Sequence, residues 1–348
     1  MRNSSAALPV AAAVALLSAG CARKASDAID PGKLKLFAVL PETVPARWGP
    51  PSEELIALGR MLYYEPRLSK SQQISCNSCH DLARYGVDGQ PTSDGHKGQP
   101  GKRNAPTVYN AAAHFAQFWD GRAADVEEQA KGPMLNPVEM AMPSEKVVVA
   151  VLKSMPEYVA AFRRAFPADK DPVNFDNAAK AIGAFERKLL TPSRWDRFLA
   201  GEQSALSPEE KAGLNVFLET GCQACHAGPL LGGAMFQKLG AMKPYPDQSD
   251  PGRLLVTGNE ADRMLFKVPS LRNIEKTAPY FHHGKAPTLE QAVREMADYQ
   301  LGRTLSEEQV RSIIAWLKAL TGELPRDYIR PPALPPSTPR TPKPDLSD

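Results

Sequence analysis

An apolar run from Ala6 to Leu17, preceded by Arg2 and followed by the small residues Ser18, Ala19 and Gly20, opens the chain. It has the form of an export signal and is too short for a membrane-spanning helix. Residues 25 to 50 carry Pro31, Pro41, Pro45 and Pro50 and read as a tether followed by an extended lead-in. Helical periodicity begins at Ser52, an N-cap residue before the acidic pair Glu53 and Glu54, with Leu55, Leu58, Met61 and Leu62 along one face. Gly86 to Gly101 is polar, rich in glycine and without periodicity, so it reads as loop. Further helical segments are expected at Ala111 to Phe118, Val126 to Lys131, Glu145 to Phe166 with a break at Pro156, and Asn177 to Leu190. Ser207-Pro208-Glu209-Glu210, an N-cap with proline at the first helical position, opens a second module. Ser306-Glu307-Glu308-Gln309 is a capping box for a helix reaching about Leu320, with Ile313, Ile314, Trp316 and Leu317 available to pack.

Strand patterns are scarce, and the expected fold class is mainly α. The pattern divides the chain into an export signal at 1–21, a tether and lead-in at 22–50, a first domain at 51–200, a second at 201–324 and a proline-rich tail at 325–348. Prolines crowd that tail up to Pro344, so it is expected to be extended and partly disordered. The net charge of +3 over 348 residues, without a basic run, argues against nucleic acid as a partner. Small molecules and proteins are the expected partners.

Each module leads from a helix into the same pentapeptide pattern: Cys76-Asn77-Ser78-Cys79-His80 in the first, Cys222-Gln223-Ala224-Cys225-His226 in the second. Two thiols three positions apart can add to the two vinyl groups of one haem, and the following histidine is then held beneath the iron as an axial ligand. Zinc would need two further ligands for each pair, and none lies at finger-like spacing. A thioredoxin-like pair would sit near a strand and helix pattern that is absent here. Two haem c groups, each covalently bound in its own domain, are therefore expected.

What such a protein does turns on the sixth ligands, because an iron with one protein ligand can take up peroxide or oxygen while a doubly ligated one only passes electrons. For the second haem the candidates are Met235, Met242, Met264 and Met296, of which Met296 lies just ahead of the last helix on a short helix capped by Thr288. For the first haem His96 sits in the glycine-rich loop and His114 on an apolar segment. A ligand on such a loop can be withdrawn at modest cost.

With these residues in place, the sequence resembles the bacterial dihaem cytochrome c peroxidases from about Gly59 to Leu320. Beyond the two haem motifs, the resemblance is carried by Arg103-Asn104-Ala105-Pro106-Thr107, Phe118-Trp119-Asp120-Gly121-Arg122, Leu135-Asn136-Pro137-Val138-Glu139-Met140, Val268-Pro269-Ser270-Leu271-Arg272-Asn273 and Tyr280-Phe281-His282. It implies two cytochrome c-like domains with the active face near their interface. It also implies reduction of hydrogen peroxide to water with electrons from a small periplasmic cytochrome c or copper protein (a cupredoxin). By the same resemblance, His80 is the proximal ligand of the peroxidatic haem and His96 its removable distal ligand, while His226 and Met296 ligate the electron-transferring haem. Glu139 matches the catalytic glutamate, Gln129 the glutamine beside it, and Trp119 the tryptophan between the haems. Asn104, with the carbonyls of Thr277 and Pro279, matches a calcium site joining the domains. Homodimer formation is left open.

The resemblance departs at His283, which stands where the family usually has aspartate after Tyr-Phe-His. Export agrees with periplasmic haem attachment, and Cys21, the fifth cysteine, stands where bacterial lipoproteins carry their acylated residue, although Ser18 occupies the usual aliphatic place. Lipid anchoring through Cys21 is expected, with simple cleavage after Ala22 as the alternative. Two rival functions are carried forward: a dihaem oxidase of the kind that matures a tryptophan-derived quinone cofactor, with tyrosine in place of methionine (Tyr299 being near), and a dihaem electron carrier without catalysis.

Overall fold

The computed structural model describes Met1 and residues 28–347. The export signal and Cys21 lie outside the described residues. No described helix is long and apolar enough to cross a membrane. The fold is mainly α, and its one sheet among the described residues pairs Phe236–Lys238 with Leu265–Lys267 in antiparallel register.

Two apolar cores organise the chain. The first draws on residues between Leu55 and Leu189 together with Ile329, and the second on Phe37 and residues between Trp195 and Leu320. Each contains a tight helix crossing. Glu53–Tyr63 packs on Phe175–Glu186 so closely that a Cβ at Gly59 would fall 1.8 Å from the Ala181 carbonyl oxygen. Pro208–Thr220 packs on Glu307–Lys318 with Gly213 equally placed, 1.9 Å from the Ser312 carbonyl oxygen. Only glycine fits at either crossing. The Ser52, Ser207 and Ser306 N-caps accept from Leu55, Glu210 and Gln309, as the caps in the sequence require.

The segment Ala111 to Phe118 differs from expectation. Only Ala111–Ala113 forms a turn of 3-10 helix, bounded by left-handed φ at Asn110 (61°) and at Phe118 (65°). Alanine propensity is a weak local preference, and here the tertiary bond of the Gln117 amide to the Ala111 carbonyl (2.8 Å) holds a different path. The tail is extended as expected but docked along its length. Tyr328 and Ile329 pack on the first core, Arg67 donates to the Pro335 carbonyl at 2.8 Å, Thr338 donates to the Ser154 carbonyl at 2.9 Å, and the Asp345 N–H reaches the Lys70 carbonyl at 2.9 Å. The lead-in is also docked rather than loose, and it crosses to the second core through Phe37 and a bond from the Leu40 N–H to Asp196 at 2.8 Å.

Asp196 is the polar anchor of that second core. It takes a forked bond from Arg272 at 2.7 and 2.8 Å, while Arg272 Nε donates to the Pro229 carbonyl just beyond the second haem motif. Burial pushes the Asp196 carboxyl up, but its bonds to Arg272, Leu40 and Ser193 outweigh that and hold it below the usual carboxylate range. Its stabilising contribution is therefore present above the unfolded pKa, about 4, and is lost as pH falls through the lower folded value. Asp196→Asn leaves Arg272 buried without its counter-charge and should cost about 3–5 kcal/mol in chemical denaturation. The loss should shrink as pH falls below the unfolded value of about 4 toward the lower folded one; a pH-independent difference would show that the ion pair is not its source.

Candidate functional site

The first haem motif forms a single helical turn, Cys76–Cys79, in which Ser75 and Ser78 cap each other. The His80 N–H closes the turn on the Cys76 carbonyl at 3.0 Å, and its own carbonyl is held by the Tyr63 hydroxyl at 2.8 Å. His80 Nδ1 is buried without a hydrogen-bond partner, and burial lowers the pKa of the ring. Burial pushes the Cys79 thiol up; the nearby Ser93 hydroxyl opposes this, and the charges of Asp88 and Glu139 add to the rise. Glu139 thus stands near the motif. Its carboxylate accepts from the Asn136 amide at 2.8 Å, and burial raises its pKa against the opposing pull of Arg122 and Asn136.

His96 is tied directly to this segment, because its N–H bonds the carbonyls of both Val138 (3.0 Å) and Glu139 (2.8 Å). The loop is more firmly held than its composition suggests. A Cβ at Gly95 would come within 1.9 Å of the Val138 carbonyl oxygen, so glycine permits the close approach. The His96 ring is buried, and its Nε2 lies 3.3 Å from the Ser347 carbonyl oxygen. Gln129 lies half-buried on the helix Val126–Leu135 and makes no side-chain hydrogen bond among the described residues.

The second motif faces a cavity of about 230 Å³ lined by Cys222, Cys225, His226 and Met296. His226 Nδ1 lies 3.0 Å from the Leu231 carbonyl. A carbonyl only accepts, so that nitrogen carries the proton and Nε2 keeps its lone pair for a metal. Among the other methionines, Met235 and Met242 are 40% and 68% exposed. Met264 is buried in a cluster with Tyr245 and Phe266. Tyr299 packs on Tyr245 and lines a separate surface recess with His283 and Glu295.

Trp119, Asn104, Thr277 and Pro279 line the same cavity as the second motif. The Trp119 indole N–H donates to the Asn104 carbonyl at 2.9 Å, and the Asn104 amide nitrogen donates to the Gln90 carbonyl at 2.9 Å. The described residues contain no cluster of three or more His, Cys, Asp or Glu side chains suited to a metal. A calcium site would rest instead on the amide and carbonyl oxygens named above.

His114, the second choice for the first haem, is placed elsewhere. It lines the second cavity, with Nδ1 2.8 Å from Lys267 Nζ and Nε2 buried without a partner. Burial drives the pKa of the Lys267 ammonium down to about 7. An ammonium buried in a largely apolar wall, with an imidazole as its side-chain hydrogen-bond partner, is costly. Asp120 opposes the effect of burial only in part, and the carboxylate side chains of a haem would add counter-charge, so the residues present fit a haem here. His283 is a further addition: its Nδ1 accepts from the Lys285 N–H at 2.9 Å, and Nε2 lies 2.9 Å from the Tyr245 hydroxyl, which in turn donates to Glu295 beside Met296. Neither Lys267 nor Tyr245 carries a sequence signal, since their partners are distant in the chain.

A family profile for di-haem cytochrome c peroxidase matches residues 53–204. The chain is 50% identical over 296 residues to the cytochrome c551 peroxidase of Nitrosomonas europaea, covering 84% of this chain and 87% of that one. It is 46% identical over 336 residues to the cytochrome c551 peroxidase of Pseudomonas aeruginosa, covering 94% and 96%. Among solved structures, a MauG-like protein associated with microbial copper homeostasis is similar with a TM-score of 0.72 at 27% identity, covering 88% of this chain and 97% of that one.

A cation beside a haem favours the reduced iron, which carries one positive charge fewer. Lys267→Met should therefore lower the midpoint potential of the second haem in an equilibrium redox titration, and Lys267→Arg should largely restore it. Potentials unchanged in both variants would remove Lys267 from that haem's surroundings.

Proposed function

We propose, from the premise that this chain belongs to the di-haem cytochrome c peroxidase family, that it divides peroxide reduction between two unlike haem sites. Electrons from a small periplasmic cytochrome c or cupredoxin enter at the His226/Met296 site, cross by way of Trp119, and are used at the His80 site. The overall conversion takes one hydrogen peroxide, two electrons and two protons to two waters. When bound, the haem at His80 supplies an iron that receives peroxide and passes electrons to it.

The chain's own residues supply the rest. Breaking the O–O bond heterolytically requires a proton to move from the oxygen near the metal to the departing one. Glu139 is suited to carry it, because burial makes it hold a proton more readily than an exposed carboxylate. Gln129 donates a hydrogen bond that orients the peroxide. His96 serves as the movable distal ligand, and peroxide can enter only while it is off the iron. Asn104 and the carbonyls of Thr277 and Pro279 hold calcium between the two halves, a ligand set of the oxygen type that calcium prefers. We place the protein in the periplasm, anchored through Cys21.

The observation that carries this reading is the meeting of Glu139, Cys79 and the His96 loop in one place. A pure electron carrier gives no account of a half-buried acid there. The quinone-maturing oxidase reading needs tyrosine at the second haem, whereas Met296 lines the cavity and Tyr299 packs on Tyr245 outside it. A steady-state peroxide assay combined with electron paramagnetic resonance of the oxidised and half-reduced protein tests activity and both ligand sets together.

Glu139→Gln should retain both haem spectra and lose about 10²–10⁴-fold in peroxide turnover, the usual worth of general acid–base help. Near-normal turnover would dismiss the assignment. Met296→His should lower the potential of the second haem and slow electron entry, because imidazole favours the ferric state more than a thioether does. An unchanged redox titration would return the ligand role to Met264.

A further inference from the structure

The carbonyl of Ser347 lies 3.3 Å from Nε2 of His96, which joins the last described residue of the tail to the loop proposed as the gate. An imidazole nitrogen that donates its proton to a carbonyl has no lone pair left for iron. The contact is part of a seated segment: the Lys70 ammonium donates to the same Ser347 carbonyl at 2.9 Å, and the Asp345 N–H bonds the Lys70 carbonyl at 2.9 Å. The main chain of His96 meanwhile stays bonded to Glu139, so what the tail engages is the ring.

We infer that the carboxy-terminal segment is a positioning element of the peroxidatic site, which holds His96 by Nε2 and so keeps the distal side of the His80 haem open while the tail is seated. The inference rests on His96 being the movable ligand. Tail and iron then compete for one nitrogen. The balance between the two partners sets the fraction of open enzyme, and that fraction scales the apparent reaction with peroxide. With the tail in place the oxidised enzyme is ready to react; with it removed, His96 is free to close the site until the second haem is reduced.

The test compares the fully oxidised, dihaem-loaded full chain with a version ending at Leu334, which retains Tyr328 and Ile329 in the first core. Electron paramagnetic resonance reads the spin state of the first haem, and stopped-flow mixing with hydrogen peroxide reads its access. The full chain should be high-spin at the first haem and react without prior reduction. The shortened chain should turn low-spin and react at least about tenfold more slowly, in proportion to its open fraction. Adding His96→Gly to the shortened chain should return the high-spin signal. A shortened chain with the same spin state as the full one overturns the inference, as does a full chain that is low-spin and opens on shortening. If shortening prevents folding or haem loading, Lys70→Met in the full chain takes its place: a shift toward low spin supports the inference, and an unchanged spin state overturns it. A spin-state change without peroxide turnover in any form would refute the peroxidase reading and leave the tail contact standing.

Discussion

The side chain of Thr191 is where the two halves of this protein are fastened. Its hydroxyl accepts from the Asn110 amide of the first half at 2.8 Å and from the Asn273 amide of the second at 2.9 Å, while its N–H donates to the side-chain oxygen of Asn110 at 3.0 Å. All three residues are buried. A buried amide that lost its partner would carry its full desolvation cost, so the knot has one favourable arrangement. In the proposed function electrons pass between two sites, a step that depends on their separation, and the knot fixes how the two halves meet without using the His96 loop. The exchange of chain ends reinforces it: the amino-terminal lead-in packs in the second core and the tail on the first.

Within each half, a glycine-mediated helix crossing sets the frame on which the haem motif is built. Gly59 and Gly213 let backbones approach to a distance that no other residue permits, and each crossing helix runs on toward a CxxCH turn. The rigid part of each site, its thiols and its proximal histidine, is thereby tied to a core. The two candidate distal ligands are on different supports: His96 on a short turn bonded to Glu139, and Met296 at the start of an irregular π-helical stretch, Met296–Gln300. This placement is what the proposed division between a fixed proximal side and a replaceable ligand at His96 relies on.

Much of this is legible in the chain because the signals are local. The serine caps, the proline at the first position after Ser207 and the two CxxCH pentapeptides each depend on residues within a few positions of one another, and the structure forms each helix they announce. The site is legible only where motifs keep its members together, as in Asn136 to Glu139. The place of His114 is not, because its partner Lys267 is 153 positions away. The docked tail is hidden for the same reason, since proline-rich composition describes a chain that cannot fold upon itself and says nothing of a surface elsewhere that receives it. His283 stands out as a departure from the family pattern, yet its bond to Tyr245 follows from a turn whose path no short pattern encodes.

The seated tail has a practical consequence for anyone who handles this protein. An affinity tag or fluorescent fusion joined beyond Ser347 would leave the surface beside His96, at the mouth of the proposed peroxide site. Such an appendage would perturb the contact between Ser347 and His96, and a preparation carrying it would not be a neutral stand-in for the native chain.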